Sequence, residues 1–151
     1  MFFDHPGTAF ANVGRALRAG GRLVMMVWQG RDRNEWEAAI RRSLSGPAAV
    51  STGLDPFSLA DPTAVRAILD AAGFADVTFT DVREPMYFGP DVGAALDWVR
   101  GFASTTDVLG RLDPAAAARA LGRLRDMLAA HMSGDGVWFD SRAWLVTARR
   151  R

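Results

Sequence analysis

Apolar positions change their spacing several times along this chain, and each change marks an element. Phe10, Val13, Ala16 and Leu17 recur at helical intervals, which predicts a helix over about 6–18 with one face against a sheet. Pro6 stands near its first position, where a missing N–H costs nothing, and Asp4 is the expected cap. Ala19-Gly20-Gly21 ends it, because glycine past a helix takes the left-handed backbone that other residues avoid. Arg22 to Trp28, RLVMMVW, is then apolar on both faces. Such a run predicts a central strand covered on both sides, with a neighbour on each edge, as in the parallel sheets of α/β folds.

Further on, Asn34 to Leu44 predicts a short helix with Trp36, Ala39 and Ile40 on one face, and SGPAAVSTGLDP from Ser45 to Pro56 is loop-like. Asp61 caps the next helix with Pro62 at its first position and Val65, Ile68, Leu69 and Ala72 as its stripe, and Gly73 stops it. Alternation of Val77 and Phe79 with Thr78 and Thr80 predicts a strand over 76–82. Two helices are predicted over 92–103 and 113–132, the second from Ala117, Leu121, Leu124 and Leu128. Gly134 and Gly136 break it ahead of a last strand, 138–148.

The order helix, glycine pair, strand, with FFDHP ahead, resembles the second half of a class I S-adenosylmethionine-dependent methyltransferase. Met1-Phe2-Phe3-Asp4 match the hydrophobic tip after that family's fourth strand, Ala19-Gly20-Gly21-Arg22-Leu23 its turn, with Ala19 where proline is usual, and Val24 to Trp28 its fifth strand. The resemblance continues through PFSLADPTAVRAILDAAGFADVTF to the closing AWLVTARR. It implies an α/β chain with a partial, Rossmann-like methyltransferase fold, strands five to seven with flanking helices, in which the closing strand lies antiparallel between the other two. On this reading residues 1–151 form one partial domain, with 85–136 as a helical, cap-like insertion. The implied cofactor is S-adenosylmethionine and the implied partner a small-molecule methyl acceptor.

Composition narrows the alternatives. Of the 151 residues, 49% are apolar, enough for one core, and the net charge of +1 leaves no basic patch with interleaved aromatics for nucleic acid. All basic residues are arginines, and Arg149 to Arg151 read as a solvated terminus. With no cysteine there is no thiolate nucleophile, disulfide or cysteine metal ligand. No signal-peptide pattern or membrane-length apolar run is seen, so a cytoplasmic location without membrane partners is the expectation.

Catalytic residues cannot be assigned from the sequence, and no metal site is expected. His5 and His131 stand far apart, with no carboxylate at metal-ligand spacing, and no nucleophile elbow or P-loop is present. Methyl transfer tolerates this, since a sulfonium methyl is already activated and the enzyme works by alignment and water exclusion. The resemblance assigns Met1, Phe2 and Phe3 to the wall beside the cofactor; read as residues alone, they equally make an apolar staple on the first helix. Trp28 ends its strand where open α/β sheets place ligands, and Trp36, Phe57 and Trp98 are further candidate acceptor contacts, each also readable as a core aromatic.

The acidic residue and G-x-G-x-G turn that hold the cofactor in this family are absent from the chain. The expectation is therefore a C-terminal portion of a longer enzyme, inactive alone, whose strand 22–28 pairs with a second copy or with the N-terminal half. A non-catalytic α/β binding or interaction module derived from a methyltransferase is the alternative.

Overall fold

The computed structural model describes residues 3–44 and 55–151. They divide into two compact units, the described residues of Met1–Arg33, Leu54–Arg83 and Arg142–Arg151 forming one, and those of Asn34–Gly53 and Glu84–Ser141 the other.

The first unit contains α1 (Pro6–Ala16), β1 (Arg22–Trp28) and α3 (Pro62–Ala71), with parts of β2 (Phe74–Gly89) and β4 (Gly136–Arg150). Its strands lie in the order β1-β4-β2, with β1 antiparallel to β4 from Arg22 opposite Arg149 to Trp28 opposite Ala143. The closing strand thus sits between the other two, as the resemblance implied. Phe10 of α1, Val65 and Leu69 of α3, Phe74 and Val77 of β2, Val27 of β1 and Val146 of β4 share one core with Leu59. α3 begins as read from sequence, with Asp61 accepting a hydrogen bond from the Thr63 amide at 2.9 Å. It stops at Gly73, whose φ of +81° is a conformation that side-chain-bearing residues avoid.

Three expectations for this unit are corrected. α1 ends at Ala16, because Leu17 turns to extended backbone before Gly20. Its N-cap is His5, with no side-chain capping bond, in place of Asp4. β1 is an end strand of the sheet among the described residues, as expected for strands five to seven alone, but it is not covered on both sides: Leu23, Met25 and Val27 meet the core, whereas Val24 and Met26 are 52% and 60% exposed. An apolar run on both faces is therefore a half-buried strand here.

The second unit holds α2 (Glu35–Ser43), α4 (Val92–Arg100), α5 (Ala103–Gly110), α6 (Pro114–Ala130), the short β3 (Met132–Ser133), which pairs antiparallel with β4, and the remainder of β2 and β4. Asp91 and Asp113 cap α4 and α6 by accepting from the amides of Ala94 and Ala116, each at 2.8 Å. Leu124 and Leu128 of α6 are wholly buried with Val99 of α4, and the Arg123 Nε–H donates to the Ser43 carbonyl at the end of α2. Three helices, not two, lie between β2 and β4, and the strand predicted to stop at residue 82 runs to Gly89, so the segment expected to begin a helical insertion at 85 starts as strand. No helix among the described residues is long and apolar enough to cross a membrane.

Candidate functional site

The carboxyl end of β1 carries a buried polar arrangement. Trp28 is half-buried there, and the next residue, Gln29, is 1% exposed. A buried amide must be satisfied, since an unpaired polar group costs its full desolvation. The Gln29 Nε2 amide donates to Asp81 Oδ1 at 2.5 Å and to the Ala143 carbonyl at 3.0 Å, while Oε1 accepts from Arg33 Nη1 at 3.2 Å. The other Asp81 oxygen accepts from Arg142 Nη1 at 2.8 Å, and the Gln29 backbone amide donates to the Arg142 carbonyl. One side chain thereby fixes a carboxylate and a guanidinium on opposite sides of its amide.

The chain after Gln29 turns through one 3-10 turn, Arg31–Arg33, which brings two arginines into this region. Arg31 pairs with Asp55 at 2.6 Å, and its guanidinium carbon lies 4.6 Å from the centre of the Phe57 ring. Asp55 also accepts from the Phe57 amide at 2.8 Å, fixing the turn that buries that ring. Phe57, expected from sequence to touch the acceptor, is 7% exposed and covered by the cation. Arg33 is different. It is exposed, and no carboxylate pairs with it among the described residues; residues 45–54, outside them, contain no Asp or Glu.

Of the residues that the resemblance assigns to the cofactor, Met1 and Phe2 lie outside the described residues. Phe3 is 43% exposed, its ring edge-on to Phe10 at 5.8 Å. That contact is the apolar staple read from the sequence, made to Phe10 within α1. It offers S-adenosylmethionine an apolar surface and no group for its ribose hydroxyls or amino-acid portion, so the residues present do not by themselves fit the cofactor.

Trp36 and Trp98 belong to the second unit and share one aromatic cluster. Phe88, 3% exposed, has the rings of Trp98, Phe139, Phe102 and Trp36 at 4.7, 4.6, 6.4 and 6.5 Å. Trp36 is 6% exposed and its Nε1–H donates to Asn34; Trp98 is 43% exposed. Trp28 and Phe57 thus stand in one unit and Trp36 and Trp98 in the other. His131 has Glu35 Oε1 3.3 Å from Nε2 and the Met127 carbonyl 2.8 Å from Nδ1, and its ring stacks on Phe139. Among the described residues no three histidine or acidic side chains are grouped to hold a metal ion.

The Gln29, Asp81 and Arg142 group was not legible in the sequence. Its only signal is a glutamine following an apolar strand, and apart from Arg33 the partners of Gln29 stand 52 and 114 residues away.

No protein-family model matches the chain. It is 29% identical to trans-aconitate 2-methyltransferase of Deinococcus radiodurans over 157 aligned positions, covering 97% of this chain and 58% of that enzyme. The chain therefore spans little more than half the length of this curated relative. Among solved structures, the YcgJ protein of Bacillus subtilis shares its fold with a TM-score of 0.50 at 14% identity, over 99% of this chain and 59% of that one. The chain is thus similar in sequence to a methyltransferase, and its fold, with the closing strand antiparallel inside the sheet, is a partial Rossmann-like one.

Proposed function

We propose that this chain is the acceptor side of an S-adenosylmethionine-dependent methyltransferase that acts on a small molecule. The observation that carries the reading is the match to a methyltransferase along 97% of the chain. The buried polar group at the carboxyl end of β1 supports it, because that is where open α/β sheets take their ligands.

Methyl transfer also needs groups that are not among these 151 residues. The glycine turn and the ribose-binding acid of the resembled family are absent, and Phe3 offers only an apolar face. On this reading the chain alone does not bind the cofactor productively, and the exposed side of β1, with Val24 and Met26, is where a second copy or the cofactor-binding half associates.

Two measurements test this. The reading frame around the Met1 codon is translated, and the protein it encodes is assayed for methyl transfer from tritiated S-adenosylmethionine to a panel of small acceptors. Equilibrium dialysis then measures cofactor binding to the 151-residue chain. Transfer by the encoded protein, with no saturable binding by the chain, is expected. Saturable binding by the chain refutes the claim that its cofactor site is incomplete. No transfer to any acceptor refutes the methyltransferase reading and leaves the non-catalytic binding module.

A further inference from the structure

We infer that the outward face of the β1–β4 pair docks an acidic amphipathic helix of another polypeptide segment, an inference that narrows, and rests on, the association at β1 proposed above. The apolar stripe of that helix covers Val24, Met26 and Leu145, and its carboxylates lie over Arg22 and Arg149. Cross-strand partners share a face, so the register sets Arg22 beside Arg149, Val24 beside Thr147 and Met26 beside Leu145 on one side of the sheet. The Thr78 hydroxyl, 2.8 Å from that of Thr147, carries this face onto β2. Val24 and Met26 are more than half exposed there. On the inward side Leu23, Met25 and Val27 share a core with Phe10 and Val13 of α1 and Val65 and Leu69 of α3. The two faces of β1 thus carry the same kinds of side chain, and one lacks the helical layer that the other has.

The charge at one end of this face identifies the cover. Arg22 and Arg149 are exposed, stand directly opposite each other and have no carboxylate partner among the described residues; residues 1, 2 and 45–54, outside them, contain no Asp or Glu. Like charges in that register repel. The next two arginines of the chain are answered from within: Arg150 donates to the carbonyls of Gly14 and Gly73, each at 2.9 Å, and Arg151 pairs with Asp70 at 3.1 Å. Carboxylates from outside relieve the repulsion that remains and add charge-assisted hydrogen bonds. A second copy does not supply them. The outward positions, Arg22, Val24 and Met26 of β1 and Leu145, Thr147 and Arg149 of β4, hold no acid, so two copies meeting here bring arginines and no carboxylate. An extended strand added at the edge of β1 pairs its backbone and leaves Val24 and Met26 uncovered. A helix covers them. The seven residues of β1 span roughly 23 Å, the length of an α-helix of about 15 residues.

The test is fluorescence anisotropy of a labelled amphipathic peptide of about 15 residues, with a leucine stripe and two glutamates at one end, titrated with the 151-residue chain. The same peptide with glutamines or lysines for the glutamates is titrated beside it. The glutamate peptide is expected to bind saturably and at least about threefold more tightly than the glutamine peptide, the scale of two ion pairs at an interface rim, with the lysine peptide weaker still. Arg22→Gln combined with Arg149→Gln is expected to abolish that preference and leave glutamine-peptide affinity unchanged, while Arg22→Lys with Arg149→Lys keeps it. Met26→Asp is expected to remove binding of both peptides. Where a variant loses its circular dichroism, the three peptides on the wild-type chain carry the test. No saturable binding, equal binding of the glutamate and glutamine peptides, or a preference that survives in the folded glutamine double variant overturns the inference. A dimer of the chain that the glutamate peptide does not displace gives the face to a second copy, and binding to phosphatidylglycerol vesicles without peptide binding gives it to a membrane; both overturn it. Arginine-dependent peptide binding, where the encoded protein transfers no methyl group, leaves this surface standing and removes the methyltransferase reading. Methyl transfer without peptide binding does the reverse.

Discussion

Replacing Gln29 by leucine probes the polar group at the end of β1 directly. Leucine fills a similar volume, so the change deletes hydrogen bonds without opening a large cavity. It removes a bond to an ionised carboxylate, worth about 1.5–3 kcal/mol, a neutral bond to the Ala143 carbonyl, worth about 1 kcal/mol, and the acceptor of Arg33, whose exposed guanidinium turns to water instead. Asp81 is about half exposed and keeps Arg142, so water repairs part of the first loss, and the buried leucine returns apolar stabilisation. The net cost expected is about 2 kcal/mol. In a domain of this length that lowers the thermal midpoint by roughly 4–8 °C. Urea unfolding followed by circular dichroism measures the free energy, and a thermal scan measures the midpoint. Gln29→Glu is the companion: it has no N–H to donate and sets a carboxylate against Asp81, so it is expected to cost at least as much as leucine. A Gln29→Leu chain as stable as wild type, or more so, refutes the claim that this amide organises the site.

Phe88→Ala empties the centre of the aromatic cluster in the second unit and is expected to cost about 3–5 kcal/mol by urea unfolding, whereas Trp98→Ala, at a position 43% exposed, costs distinctly less. Asp61→Ala removes the cap that accepts from Thr63 and is expected to destabilise by about 1 kcal/mol, with Asp61→Asn retaining most of it. Met26→Lys, at a position 60% exposed, is expected to change stability by no more than about 0.5 kcal/mol while reducing self-association in sedimentation velocity; a large loss of stability shows that this side of β1 is covered in solution.

Sequence and structure agree where one local rule governs. Pro62 behind Asp61 and Pro114 behind Asp113 mark helix starts that the structure keeps, and the leucines of α6 turn a single face inward. Local rules miss α5, because ASTTDVLG carries two threonines of low helix propensity and no clear apolar stripe, and its place is set by packing on α4 and α6. They also stop β2 too early. Pro85 cannot donate to a ladder and reads as a break, yet the Glu84 carbonyl accepts from the Ser141 hydroxyl and the strand continues to Gly89. The apolar run in β1 signals burial on both faces, while only Leu23, Met25 and Val27 obtain it, since periodicity reports a residue's preference and not the neighbours available to it. Of the candidate site, Trp28 ends the strand that Gln29 follows. Gln29 acquires meaning only when Asp81, Arg142 and Ala143 arrive from distant segments.

The pairing of β1 with β4 joins Arg22 to Arg149, so two strands far apart in the chain complete each other. Until β4 emerges from the ribosome, Val27 and Met25 have no sheet partner on that side, and the face of α1 bearing Phe10 has only part of its core. Unit two's helices α4 to α6 follow one another directly in the chain and can condense from local contacts in the meantime. The contrast assigns the slow step and the aggregation-prone interval of folding to the sheet, through the length of chain that must close before the pairing gains anything. Any shortening of β4 then acts on β1 as much as on itself, because it removes the strand that β1 pairs with among the described residues.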